Sequence, residues 1–126
     1  MNLQNGLSLA YIGDAVYELE IRKRLLDKGL TKVGDLHKQA IRFTSAGGQS
    51  KAMDLLEATL SDEELSVFRR GRNTEGGRKP KNSDLGTYHR ATGFEALIGY
   101  LYLEKKEDRL TELINACFAG VSENPE

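Results

Sequence analysis

The chain has 126 residues, of which 39% are apolar and 29% charged, and carries a net charge of −1. These figures fit one soluble globular domain with a single core; they exclude a disordered chain and a protein that holds nucleic acid through bulk positive charge. No apolar run reaches the roughly 20 residues of a membrane span, Met1-Asn2-Leu3 does not open a signal peptide, and the single Cys117 excludes an internal disulfide, so a cytoplasmic protein is expected.

The predicted elements are all helical. Leu9, Ile12, Val16, Leu19 and Ile21 recur near the helical period and predict a first helix of about 18 residues ending near Gly29. A second is predicted from Lys32 to Phe43, with Val33, Leu36, Ala40 and Phe43 on one face. A third runs from the Ser45 region to Ala58 through Met53, Leu55 and Leu56. Ser61-Asp62-Glu63-Glu64 has the form of a capping box and starts a short fourth helix that carries Leu65 and Phe68 inward. From Gly71 to Gly86, four glycines with Asn73, Pro80, Asn82 and Asp84 predict a loop of about 15 residues, a length more often functional than idle. A strong helix resumes near Thr87 and continues to about Lys105, and a last one spans Glu107 to Phe118, burying the Cys117 thiol. No strand pattern is present. The expected fold is a single all-α domain of six to seven helices over residues 1–120, with residues 121–126 as a disordered tail.

Two acidic residues stand out against this background. Asp14 lies within Leu9-Ala10-Tyr11-Ile12-Gly13-Asp14-Ala15-Val16, and Glu95 within Phe94-Glu95-Ala96-Leu97-Ile98-Gly99-Tyr100-Leu101, the two most apolar stretches of the chain. A buried carboxylate is costly unless it is paired, hydrogen-bonded or bound to a cation. If the two helices cross near Gly13 and either Gly93 or Gly99, the acids meet. Two adjacent carboxylates repel unless a cation lies between them, and Mg²⁺ accepts few carboxylates while keeping its waters. On spacing alone a second reading stays open, with Asp14 hydrogen-bonded to nearby amides and Glu95 facing solvent. Glu18, one turn after Asp14, is at most a more distant support.

Charge is unevenly spread. Arg69, Arg70, Arg72, Arg78, Lys79 and Lys81 place a third of the 18 basic residues in 13 positions, against one acid, Glu75. Such a cluster is either a solvated surface or a contact patch for a polyanion. Gly71, Gly76 and Gly77 favour the second reading, since they let backbone approach a partner, and arginine forks match phosphate oxygens. Beside a metal-binding acid pair, this makes phosphodiester hydrolysis the economical joint reading. His37 reads as helix surface, and His89 as a candidate phosphate contact. No nucleotide-binding glycine loop, nucleophilic triad or zinc spacing is present.

Tyr11-Ile12-Gly13-Asp14-Ala15-Val16 together with Phe94-Glu95-Ala96-Leu97-Ile98-Gly99 resembles the two signature segments of the ribonuclease III catalytic domain. With Asn5-Gly6-Leu7, Asp35-Leu36-His37-Lys38, Arg70-Gly71-Arg72-Asn73 and Pro80-Lys81-Asn82, nearly the whole chain is similar to the Mini-III subgroup of bacterial ribonucleases. The resemblance implies the all-helical ribonuclease III endonuclease fold, a homodimer, and cleavage of double-stranded RNA that depends on Mg²⁺, for which Mn²⁺ can substitute. It also implies a role in trimming 23S ribosomal RNA precursors, with a large-subunit ribosomal protein as a candidate partner. By the same match, Asp14 and Glu95 take the places of metal-binding catalytic carboxylates. The general family pattern has two more acids, four residues before Asp14 and three before Glu95, where this chain has Ala10 and Thr92. One acidic pair per subunit points to a single Mg²⁺, with Thr92 or water filling the gap.

The 126 residues include no double-stranded RNA-binding domain, so affinity is expected from the catalytic domain, chiefly through the Arg69–Lys81 segment. Leu97, Tyr100, Leu101 and Tyr102 are the expected two-fold interface. The reduced acid set leaves one alternative, a non-catalytic RNA-binding protein of ribosome assembly.

Overall fold

The computed structural model describes residues 5–74 and 84–123. They form α1 (Gly6–Asp27), α2 (Val33–Thr44), α3 (Ala46–Leu56) with a 3-10 turn over Glu57–Thr59, α4 (Asp62–Arg72), α5 (Leu85–Leu103) and α6 (Glu107–Glu123). Among the described residues there is no strand, as expected, and no helix is long and apolar enough to cross a membrane.

Local chemistry sets the helix ends. Asn5 starts α1 by accepting the amides of Leu7 and Ser8, and Gly29 turns the chain after it with φ +96, a conformation that side chains rarely allow. The capping box is present: Ser61 accepts the Glu64 amide while Glu64 accepts the Ser61 amide. Arg109 of α6 then clamps the same Glu64 carboxylate with two 2.8 Å hydrogen bonds and donates to the Thr59 carbonyl. That guanidinium holds the Glu64 carboxyl below the usual range. Asp84 caps α5 through the Thr87 amide at 2.8 Å, so the helix begins at Leu85, two residues before the expected start at Thr87.

Helix α5 is the axis of the molecule. From Ala91 to Leu101 every residue but Glu95 is buried, and α1, α3, α4 and α6 pack around it. Tyr17 of α1 meets Phe94 edge-on, with ring centroids 4.8 Å apart. Cys117 is buried as expected, and burial pushes its thiol up to about 12.

Several expectations are corrected. Leu97, Tyr100 and Leu101 are filled by the chain's own core and are not free to form a two-fold seam; of that group only Tyr102 is exposed. Leu19 is 57% exposed because it lies two residues from both Tyr17 and Ile21, which turns it about 200° round the helix from each. Val33, the first residue of α2, is 79% exposed, and Leu55 and Leu65 are only partly covered. Gly71 does not open a loop. It lies inside α4, where a Cβ would stand 2.6 Å from that of Ala96, so the glycine lets α4 press against α5. The last helix runs past Phe118 to Glu123, with Val121 in the core and Gly120 leaving room for Leu55. The expected tail therefore gives residues 121–123 to α6, and 124–126 lie outside the described residues.

Candidate active site

The site begins with two glycines. At Gly13 of α1, a Cβ would sit 1.8 Å from the Glu95 carbonyl oxygen; at Gly99 of α5, one would sit 2.1 Å from the Leu9 carbonyl oxygen. Each helix thus occupies the space where the other would carry a side chain, and the backbones touch. Of the two expected crossing points on α5, Gly99 is the one used against α1. Gly93 instead faces Phe68 of α4. Asp14 follows Gly13 immediately, and Glu95 supplies the carbonyl that Gly13 meets, so backbone contact brings the two acids together.

The burial of the pair is uneven, which corrects the picture of two acids sunk in oil. Asp14 is exposed and Glu95 is half-buried. Burial drives the Glu95 carboxyl well above the usual carboxylate range; a hydrogen bond from Gln49 opposes this, and the charge and hydrogen bond of Asp14 add to the rise. A hydrogen bond between two carboxyl groups needs a proton between them, and a divalent cation can take that proton's place. The donors are oxygens only, which suits a hard ion such as Mg²⁺. Among the described residues no cluster of three or more His, Cys, Asp or Glu is arranged to hold a metal, so this pair would contribute two carboxylates and leave the remaining positions to water.

The neighbouring positions carry no further acid. Ala10 is buried. Thr92 is buried with its hydroxyl donated to the Tyr88 carbonyl at 3.0 Å, turned to its own helix and not offered to an ion. Glu18 faces Arg22 along α1 at 3.6 Å. Sequence reasoning missed Gln49, which is 2% exposed and donates to Glu95 Oε2 at 3.1 Å. Nothing in its own segment marks it, because the carboxylate it serves comes from α5, 46 residues further on.

The basic residues divide. Arg69, Arg70 and Arg72 form the last turn of α4 and not a loop, where positive charge also suits the helix C-terminus. Arg72 bonds Asn73 and lies over the Phe68 ring. Arg78, Lys79 and Lys81 lie outside the described residues. The arginine-bearing end of α4 abuts the start of α1, since a Cβ on Gly6 would stand 2.8 Å from the Arg70 carbonyl oxygen. Asp14 is eight residues further along, about 12 Å at the helical rise. Arg90 is held by Asp54 and Glu57, each at 2.7 Å. His89 is half-covered against Tyr88, and His37 is exposed on α2 beside a groove formed with α1.

Known proteins share this pattern. The Ribonuclease III domain model matches residues 7–106, which takes in both acids and the glycine crossing. The chain belongs to the ribonuclease III family. It is 49% identical to the Mini-ribonuclease 3 of Brevibacillus brevis over 120 residues, 95% of this chain and 90% of that protein. With the Mini-ribonuclease 3 of Enterococcus faecalis it shares 46% identity over 97% of this chain and 94% of the relative. The crystal structure of a Fusobacterium nucleatum protein superposes with a TM-score of 0.84 at 34% identity, covering 93% of each chain. The ribonuclease is thus an endoribonuclease, a hydrolase of phosphodiester bonds, on the all-α fold expected from its sequence.

Proposed function

We propose that this ribonuclease cuts double-stranded RNA with Mg²⁺ held by Asp14 and Glu95, and that its substrate is a stem of the 23S ribosomal RNA precursor. The observation that carries the reading is the acid pair fixed at a backbone-to-backbone helix crossing. Side by side, the two groups are short of positive charge. When bound, Mg²⁺ would supply an activated water and stabilise the charge that develops on the phosphate. The chain's part is to hold the two carboxylates at a set separation, one open to solvent and one backed by protein. Mn²⁺ is expected to substitute.

Arg69, Arg70 and Arg72, with Arg78, Lys79 and Lys81, are the residues we assign to the RNA backbone. Recognition of an A-form duplex then rests on shape and phosphate contacts, not on base edges. The working unit is a homodimer in the cytoplasm, each subunit presenting its pair to one strand. Tyr11, left exposed one turn before Asp14, supports an open face for the second copy. A large-subunit ribosomal protein that presents the RNA completes the set of partners we propose.

The test is incubation of the pure protein with long duplex RNA, with and without Mg²⁺, followed by sizing of the products. Asp14→Asn and Glu95→Gln should each lose Mg²⁺-dependent cleavage while still retaining duplex in a gel-shift assay. Cleavage at the wild-type rate by either variant refutes the assignment.

A further inference from the structure

Gln49 is a buried polar side chain with both amide protons committed. Its Nε2 donates to the Thr44 carbonyl at 3.3 Å and to Glu95 Oε2 at 3.1 Å. The orientation is fixed by chemistry: turned over, the amide oxygen would face a carbonyl and a carboxylate, two acceptors and no donor. The helix that carries Gln49 is fixed as well. Ser45 caps α3 by accepting the Gly48 amide at 3.1 Å, and the Gln49 amide donates to the Ser45 carbonyl at 2.9 Å. Gly48 lets this corner close, since a Cβ there would stand 2.2 Å from the Arg42 carbonyl oxygen. The α2–α3 corner therefore delivers one neutral donor to one oxygen of Glu95.

We infer that Gln49 is a positioning residue for the metal-binding carboxylate, holding Glu95 Oε2 so that the other oxygen is presented beside Asp14. The inference rests on the metal-carboxylate reading above and deepens it. A neutral amide suits this task. It fixes the direction of the carboxylate without cancelling its charge, so the attraction for a divalent cation is kept; an arginine or lysine at the same place would orient the group and compete with the ion. In a site with only one acidic pair, a carboxylate free to rotate loses more than in a site with several ligands, because Asp14 alone is left to fix the ion. Partners that orient a ligand in this way typically govern metal affinity or activity by about 10–100-fold.

The experiment uses Gln49→Met, which keeps the volume and removes both donors, and Gln49→Asn, which keeps an amide one methylene too short to reach Glu95. Mn²⁺ binding to the full chain without RNA is followed by electron paramagnetic resonance, and cleavage is measured across a Mg²⁺ series. Both variants should bind Mn²⁺ about 10–100-fold more weakly, with the Mg²⁺ half-saturation point raised by a similar factor and the rate at saturating Mg²⁺ within a few-fold of wild type. Melting of the metal-free protein is recorded alongside. If Gln49 only fills the core, melting falls while Mn²⁺ affinity holds, which overturns the inference. Asp14→Asn separates the two levels. Lost Mn²⁺ binding in Asp14→Asn with wild-type binding in both Gln49 variants refutes the role of Gln49 alone, whereas unchanged binding in Asp14→Asn refutes the metal site itself. Should Gln49→Met not fold, Gln49→Asn carries the same test.

Discussion

Replacing Gly13 by alanine adds one methyl group at the place where α1 and α5 touch. The new Cβ would lie 1.8 Å from the Glu95 carbonyl oxygen and 2.8 Å from the Gly99 amide nitrogen, whereas ordinary contact begins at 3.4 Å. The helices must part or rotate by about 1.5 Å, and no rotamer change relieves it, because both obstacles are backbone. Overpacking of a core typically costs about 1–3 kcal/mol, and the rigid neighbours put this case at the upper end or beyond. For a domain of this size that lowers the melting temperature by about 10–15 °C. The same movement separates Asp14 from Glu95, and a displacement of about 1 Å in a catalytic group costs about 100-fold in rate. Calorimetry and initial rates on duplex RNA, taken well below the lowered melting point, read both effects. Gly34→Ala is the control: nothing lies within 4 Å of its new Cβ, and the better helix former should add about 0.5 kcal/mol with unchanged cleavage. If Gly13→Ala melts within about 2 °C of wild type and cuts at the same rate, the crossing does not set the site.

Three other outcomes follow from the described contacts. Tyr17 is buried, and its hydroxyl is the one buried side-chain oxygen or nitrogen among the described residues without a hydrogen-bond partner; Tyr17→Phe keeps the edge-on contact with Phe94 and should stabilise by about 1 kcal/mol, read by chemical denaturation. A loss of stability would show that the hydroxyl is satisfied. Arg109→Ala should cost about 1.5–3 kcal/mol at neutral pH by unclamping Glu64. Because the folded-state pKa of Glu64 is depressed, its stabilisation is present above the unfolded value of about 4.3 and is lost as pH falls through the folded one, so wild type and variant should converge in acid melts. A constant gap from neutral to acid pH refutes the linkage. Arg69→Ala, Arg70→Ala and Arg72→Ala combined should weaken duplex binding and flatten its salt dependence; an unchanged slope places the RNA surface elsewhere.

Much of the architecture was legible because helical periodicity and caps are local signals. The capping box at Ser61, the buried Cys117 and the absence of strands among the described residues follow from residues near one another in the chain; the meeting of Asp14 with Glu95 is long-range, and was legible because each acid lies close to a glycine in an apolar helix. The failures share one cause, that a residue's surroundings are not written in its own segment. Gly71 reads as a helix breaker, yet close packing against Ala96 uses it as a helix contact. Leu97 and Leu101 read equally well as core or as subunit interface, and only the four helices around α5 decide between them. Gln49 looks like any polar helical residue until α5 brings Glu95 against it. Asp14 sits in an apolar run but on the open side of α1, a matter of helix rotation that an interrupted pattern leaves undetermined.

The central position of α5 also has a consequence for motion. A helix whose middle is packed by four others has little open flank from which to fray, and at the Gly13–Gly99 seam backbone meets backbone with nothing that can yield. Its middle amides, from Ala91 to Leu101, should exchange with solvent deuterium only when the whole domain opens, at rates that report global stability. Arg69 and Arg70, exposed in the last turn of α4, should exchange by shallower local openings. The two acids would then stand as the still part of the molecule, with adjustment to each RNA left to the surface around them.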